Sequence, residues 1–417
     1  MRTLIKNISS LCTLQGQNKL FRVGKDMQNI GEIKNGAIIF SDKIEWTGTT
    51  ENINNYIANN NITIENIIDA TGKTIIPGFC DSHTHIVFAG NRSDEFARRL
   101  RGATYQEIAA EGGGILKTVT ATRNASIKEL KENGKRLAIS AMKHGTTSIE
   151  IKSGYSLNTE GELKQLRAIK ELKEELPLNI RSTFMGAHDF PPEYKNARQK
   201  YIDIIINEML PKIAEEKLAD YCDAFIDKGY YTNDEARQIF EEAMKLGMKI
   251  RTHSDEMADV GAAGFSADIG AISADHLLFA SDESISKMAK SGTVATMMPA
   301  TAYFIRMPYA PARKIIEAGC ITALATDCNP GSSFTENMQL VLSLAVINMK
   351  MTAEEALTAA TINGAKAMEL SDITGSLDVG KQADLLLCDC SSYTDIFYHF
   401  GINHIEKVWI KGEIISV

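Results

Sequence analysis

Hydrophobic and polar positions divide this chain into two kinds of territory. The first 70 residues carry short apolar runs separated by turn residues: Leu4–Ile8, Ala37–Phe40 and Ile44–Trp46, punctuated by Gly31, Gly36 and Gly48. Such runs predict short strands. The asparagine- and isoleucine-rich stretch Glu51–Ile68 reads as a polar helix or loop. The last 40 residues return to strand character, most clearly at Ala383–Asp389 and Val408–Ile415. Between these ends the pattern alternates. Strand-like runs at Thr74–Phe79, Thr146–Ile151, Asn179–Gly186, Cys222–Ile226, Met248–Thr252, Ala271–Ala274, Thr293–Met297 and Ile321–Ala325 are separated by segments such as Glu160–Leu176 and Asp234–Leu246. The latter space their apolar residues by three and four, the period of a helix with one buried face. Strands alternating with helices predict an α/β fold with a (β/α)8 TIM-like barrel. The expected organisation is a barrel over residues 71–370 and a composite β-sandwich domain from residues 1–70 plus 371–417.

Composition narrows the function classes. With 417 residues, 44% hydrophobic and 24% charged, the chain can bury a large core. A formal net charge of −8 argues against nucleic acid or an anionic membrane as partner. No apolar run reaches the roughly 18 residues of a membrane-spanning helix. The opening residues Met1–Asn7 lack the apolar stretch of a secretory signal. A cytoplasmic protein acting on a small molecule is therefore expected. Seven scattered cysteines without a CxxC spacing predict reduced thiols and no cysteine metal site. Gly112-Gly113-Gly114 lacks the order of a phosphate-cradling loop and reads as an active-site loop.

The strongest chemical signal is Pro77-Gly78-Phe79-Cys80-Asp81-Ser82-His83-Thr84-His85. Alternate side chains of an extended chain point the same way, so His83 and His85 share a face. Two such imidazoles can reach one metal ion at about 2.0–2.1 Å. His253, His276 and Asp327 each end a predicted strand further along. Barrels of this type build their active sites at those strand ends. Any one of these residues alone would more simply be structural; their coincidence at strand ends is what carries weight.

This arrangement of HxH on the first strand, His on the fifth and sixth and Asp on the eighth resembles the amidohydrolase superfamily. The tail Gly375–Leu385 resembles that superfamily's return strand. A second set of motifs resembles the imidazolonepropionase family within it: Phe88–Phe96, Gly102–Tyr105, Glu111–Ile115, Ala121–Arg123, Ile149–Tyr155, Ala187–Asp189, Thr252–Glu256 and Ala325–Ser332. The resemblance implies hydrolysis of 4-imidazolone-5-propanoate to N-formimino-L-glutamate in histidine degradation. It implies one divalent metal per chain, zinc or iron, held by His83, His85, His253 and Asp327. It assigns catalysis to Glu256, His276 and Asp327. Substrate binding falls to Arg92, Tyr105, Tyr155, His188, Glu256, Asn329, Gly331 and Ser332, with Arg92 gripping a carboxylate in two places. It also implies a homodimer.

Two-metal members of the superfamily use a lysine ending the fourth strand. Here Lys228 falls one place beyond Asp223–Asp227, which favours one metal. The alternative activity is that of another amidohydrolase, a cyclic amidase or a purine or pyrimidine aminohydrolase. A non-enzymatic scaffold would be expected to lack metal ligands, and none is missing. His144, His399 and His404 match no motif and are expected to be structural.

Overall fold

The computed structural model describes residues 1–16, 19–102 and 113–415. Its first five strands are β1 (Thr3–Cys12), β2 (Glu32–Phe40), β3 (Ile44–Thr49), β4 (Asn66–Asp69) and β5 (Thr74–Pro77). The polar stretch before β4 forms a short helix, Ile53–Asn60. Eight strands then alternate with helices: β6 (Phe79–Asp81), β7 (Thr146–Lys152), β8 (Asn179–Ala187), β9 (Tyr221–Ile226), β10 (Lys249–Ser254), β11 (Ser273–His276), β12 (Val294–Met297) and β13 (Thr322–Leu324). The chain closes with β14 (Leu385–Cys388), β15 (Ile405–Ile410) and β16 (Glu413–Ile414).

Strands from the two chain ends form one mixed sheet in the order β16-β15-β14-β5-β1-β2-β3, with β4 paired to β1. It curls so that Phe40 of β2 meets Trp409 of β15 edge-on, with ring centroids 5.9 Å apart. Ile5, Ile8, Ile38, Ile75, Leu385 and Leu387 fill the space between. Asn7, at φ +58°, sits where the β1–β2 register shifts between Ile5 and Ile8. A left-handed residue at a bulge lets the strand bend without breaking the sheet.

The other sheet is the barrel, β6 to β13 in sequence order. Every neighbouring pair is parallel. Every residue of β7 and β9 is buried, as expected for strands covered on both faces. The two helical patterns noted in the sequence appear as Thr159–Glu175 and Asn233–Lys245. The second starts in a capping box, Thr232 with Glu235, which satisfies otherwise orphaned backbone donors. The ring closes beyond the ends of β6 and β13. There the Asp327 amide donates to the His83 carbonyl at 3.0 Å, and the His85 amide to Cys328 at 2.9 Å.

The apolar run Thr74–Phe79 is not one strand. It is divided at Gly78, with β5 in the terminal sheet and β6 in the barrel. The Gly78 amide donates to Asp384 and the Phe79 amide to Gly145. A Cβ on Gly78 would lie 2.2 Å from Thr147 Oγ1, so the passage between sheets requires glycine.

Candidate active site

The first barrel strand delivers the chain to His83 and His85, two and four residues past its end. His253 lies within β10, His276 ends β11, and Asp327 follows β13 by three residues. Two of these positions lie in the left-handed region, His276 at φ +81° and Asp327 at φ +51°. Non-glycine residues are held there only when their surroundings over-determine them, a condition common at functional sites.

These side chains converge. His83 Nε2 is 3.6 Å from Asp327 Oδ1, and His85 Nε2 is 3.7 Å from the same oxygen. His253 Nε2 stands 3.4 Å from His85 Nε2. Their ring partners fix which nitrogen faces inward. His83 Nδ1 donates to Asp275 Oδ2 at 2.7 Å, and His253 Nδ1 to Asp223 Oδ1 at 3.1 Å. In the neutral rings the inward nitrogens of His83 and His253 are then the ones that carry the lone pair, as in carboxylate–histidine–metal arrangements. His83 Nε2 is buried with no hydrogen-bond partner. Lone pairs crowded at these distances repel unless a cation lies among them. The ligand atoms of His83, His85 and His253 fall within 4.8 Å of one another, as do those of His83, His276 and Asp327. Three imidazoles and a carboxylate suit a divalent metal, and these residues fit one. Asp327 keeps Oδ1 for it, because Thr301 Oγ1 donates to Oδ2 at 2.7 Å.

Electrostatics agree. Burial lowers the pKa of His83, His85 and His276 well below the usual imidazole value, and that of His188 to about 3. Neutral imidazole is the form that binds metal. Burial, then the neighbouring Asp327 and Asp227 charges, raises the Glu256 carboxyl well above the usual range. Its Oε2 is 3.6 Å from His276 Nε2. Its backbone is held by Asp227 Oδ2, which accepts from the amides of Glu256 and Met257 at 2.7 Å each.

Beneath the histidines lies an ion cluster. Lys152 Nζ donates to Glu150 Oε1 at 2.9 Å and to Asp223 Oδ2 at 2.8 Å, all three fully buried. Burial opposes the charge on Lys152, but the two carboxylates hold its pKa up. Arg251, also fully buried, donates to Asp275 Oδ2 at 3.2 Å, to Ser82 O at 2.8 Å and to Ala367 O at 2.6 Å. Lys228, by contrast, is exposed.

The cluster opens into a cavity of about 920 Å³ at the strand ends. Among the described residues, every site residue expected from the sequence lines that cavity except His83, which lies behind its wall. Tyr105 lies outside the described residues. Arg92 Nε donates to Glu95 Oε2 at 2.9 Å, and its guanidinium rests on Gly331, where a Cβ would come 2.2 Å from Nη1. Glu95 also accepts from the Gly114 amide at 3.2 Å, joining Arg92 to the end of the glycine run. Tyr155 and His188 stand together, ring centroids 5.3 Å apart, and both flank His85. Asn329 braces its own loop. Its Oδ1 accepts from the amides of Gly331 and Ser332 at 2.8 Å each, and its Nδ2 donates to Asp327 O at 2.7 Å.

Glu95, Glu150, Lys152, Asp223, Arg251, Asp275 and Thr301 escaped the sequence reading. One signal was available for several of them. Charged residues inside otherwise apolar barrel strands, as in Ile149-Glu150-Ile151-Lys152 and Tyr221-Cys222-Asp223-Ala224, demand buried partners. The remaining histidines do not line the cavity. His144 Nδ1 donates to Ser140 O at 2.8 Å, and His399 and His404 pack ring to ring at 5.2 Å. All seven cysteines are free.

An eight-stranded parallel barrel with a three-histidine, one-aspartate cluster at its strand ends defines a metal-dependent hydrolase class. Residues 74–415 match the model of the Amidohydrolase family. The imidazolonepropionase of Alkaliphilus metalliredigens (strain QYMF) is 45% identical, covering 99% of this chain and 97% of its own length. That of Christiangramia forsetii (strain DSM 17595 / CGMCC 1.15422 / KT0803) is 44% identical, with both chains covered in full. Among solved structures, an adenosine deaminase from Xanthomonas campestris with bound zinc superposes at a TM-score of 0.72. It is 18% identical, with 99% of this chain and 92% of that chain covered. That likeness concerns the fold. The chain belongs to the amidohydrolase family, and within it to the imidazolonepropionases.

Proposed function

We propose that this chain hydrolyses 4-imidazolone-5-propanoate to N-formimino-L-glutamate, the ring-opening step of histidine degradation. One observation carries the reading. The Arg92 guanidinium and the histidine–aspartate cluster line the same cavity, so a substrate can present a carboxylate to one and a cyclic amide to the other. A neutral purine or pyrimidine gives no reason for the arginine. The full-length relatives that bear the imidazolonepropionase name support the same choice.

His83, His85, His253 and Asp327 would hold one divalent metal, zinc or iron. The exposed position of Lys228 supports a single ion, since it offers no bridging group. Such an ion supplies Lewis-acid activation of water, lowering its pKa toward about 7. The chain's own residues do the rest. Arg92 grips the propanoate, while Tyr155 and His188 flank the ring. Tyr105 is a further substrate contact in this reading. Asn329, Gly331 and Ser332 shape the wall beside Arg92. Water oxygen adds to the ring carbonyl carbon, and Asp327 accepts a water proton. His276 orients the water and stabilises charge developing on the carbonyl oxygen. The ring carbon–nitrogen bond breaks as Glu256, whose carboxyl burial raises above its usual range, donates a proton to the leaving nitrogen. The same reading carries a cytoplasmic homodimer without nucleic-acid or membrane partners. Among the described residues, no helix is long and apolar enough to cross a membrane.

The test is to quantify bound zinc and iron and to follow the loss of imidazolone absorbance for wild type and Arg92→Ala. Turnover with about one metal per chain, and KM raised at least about tenfold in the variant, is expected; tenfold corresponds to about 1.4 kcal/mol. Bound metal without turnover would discard the substrate and direct attention to other cyclic amides and aminated bases.

A further inference from the structure

The segment after β7 carries Tyr155 to the cavity, and its shape comes from an unusual source. Four consecutive amides, those of Gly154, Tyr155, Ser156 and Leu157, are received by two side chains of the helix Thr159–Glu175. Glu162 Oε2 accepts from Gly154 at 2.8 Å, and Oε1 accepts from Ser156 at 2.9 Å and Leu157 at 2.8 Å. Gln165 Oε1 accepts from Tyr155 at 3.2 Å, and its Nε2 donates to Val87 O at 2.8 Å. Both side chains are wholly buried. The backbone could not hold this shape unaided, because Gly154 sits at φ +104° and Leu157 at φ +50°. A Cβ on Gly154 would lie 2.9 Å from Met185 O and 3.1 Å from His188 Nδ1.

The shape has a chemical consequence. The Gly154 carbonyl lies 3.1 Å from His188 Nδ1. A carbonyl only accepts, so Nδ1 carries the hydrogen and Nε2 of the neutral ring is the acceptor. Tyr155 is set by the same segment, 5.3 Å from the His188 ring and 5.6 Å from that of His85.

We propose that Glu162, which touches neither the metal cluster nor the cavity, is a positioning residue for substrate binding. With Gln165 it fixes the segment that sets the His188 tautomer and the placement of Tyr155. Its role in affinity rests on the proposed function; its role in the tautomer does not.

Glu162→Gln replaces one carboxylate oxygen with a donor that faces backbone amides, leaving at least one of them unpaired. The metal-loaded variant is compared with wild type and with Asp384→Asn. Asp384 is a buried carboxylate far from the cavity that accepts from the Lys411 amide and the Thr374 hydroxyl. In Glu162→Gln, KM is expected to rise about tenfold or more, with kcat and metal content close to wild type. Long-range 15N–1H spectra of the eight histidines are expected to show His188 leaving its Nδ1–H pattern. Asp384→Asn is expected to lower stability while leaving both readouts in place. Unchanged KM and an unchanged His188 signal in folded Glu162→Gln would overturn the proposal, and so would lost metal with a falling kcat at constant KM. If Glu162→Gln does not fold, Gln165→Leu, which removes the Tyr155 amide's acceptor, must shift KM and the His188 signal in the same direction. Should the imidazolone not be turned over, the His188 signal decides the positioning role while the proposed function fails separately.

Discussion

Asp275 precedes His276 in the chain, yet its carboxylate meets the ring of His83, 192 residues away in sequence. That contact decides which His83 nitrogen faces the other ligands. Arg251 shares the same carboxylate oxygen and ties it to the backbone at Ser82 and Ala367. An uncharged amide in place of Asp275 would polarise the imidazole less and leave Arg251 partly unpaired in a dry site. Asp275→Asn is therefore expected to weaken divalent-metal affinity by about 10–100-fold, as losses of such partners do. Competition with a chelator of known affinity would measure it. An affinity within twofold of wild type would mean that Asp275 does not orient the ligand.

At the scale of elements, the loop after β13 works as a rigid shelf under Arg92. Asn329 spends its side chain on the amides of Gly331 and Ser332, and Gly331 leaves just enough room for the guanidinium. A Cβ there would press on the far end of a long, flexible side chain, so the arginine would yield before the loop does. Gly331→Ala is expected to raise KM about tenfold or more by displacing Arg92, since small misplacements at a reacting site are costly. Its melting temperature should stay within about 2 °C of wild type, because the core is untouched. Equal KM values for the two proteins would sever the link between this loop and the carboxylate grip.

For the whole molecule, the barrel mouth sets two groups of buried titrating residues against each other. Burial holds the folded pKa values of His83, His85, His188 and His276 below the unfolded value of 6.5, with His188 at about 3. Such a group binds its proton more readily when unfolded. Its contribution is complete above about pH 6.5 and is lost as pH falls toward about 3. Two buried carboxyls act oppositely: burial raises Asp81 to about 7 and Asp327 to about 6. Each holds its proton more tightly when folded, so its contribution is complete below about pH 4 and is lost as pH rises toward 6 or 7. In the metal-free protein these slopes partly cancel between about pH 4 and 6.5. Removing one histidine unbalances them. The urea midpoint of metal-free His188→Asn should fall less than that of wild type between pH 7 and pH 5. A variant that loses as much midpoint as wild type would show that His188 carries no such linkage.

The alternation of apolar runs with helical periods along the chain marked the eight-stranded barrel and the sheet drawn from both ends, because run length and period encode which faces of an element are buried. Residue type and position at strand ends likewise marked His83, His85, His253, His276 and Asp327, since the chemistry of a metal site admits few side chains. Tertiary structure decided what period cannot encode. The division of the run Thr74–Phe79 at Gly78 depends on how closely Thr147 approaches. The pairing of His83 with Asp275, of His253 with Asp223, and of four loop amides with Glu162 and Gln165 depends on the register of parallel strands and on helix placement. A buried charge shows in the sequence that it needs a partner, but only the packed barrel selects which one it meets.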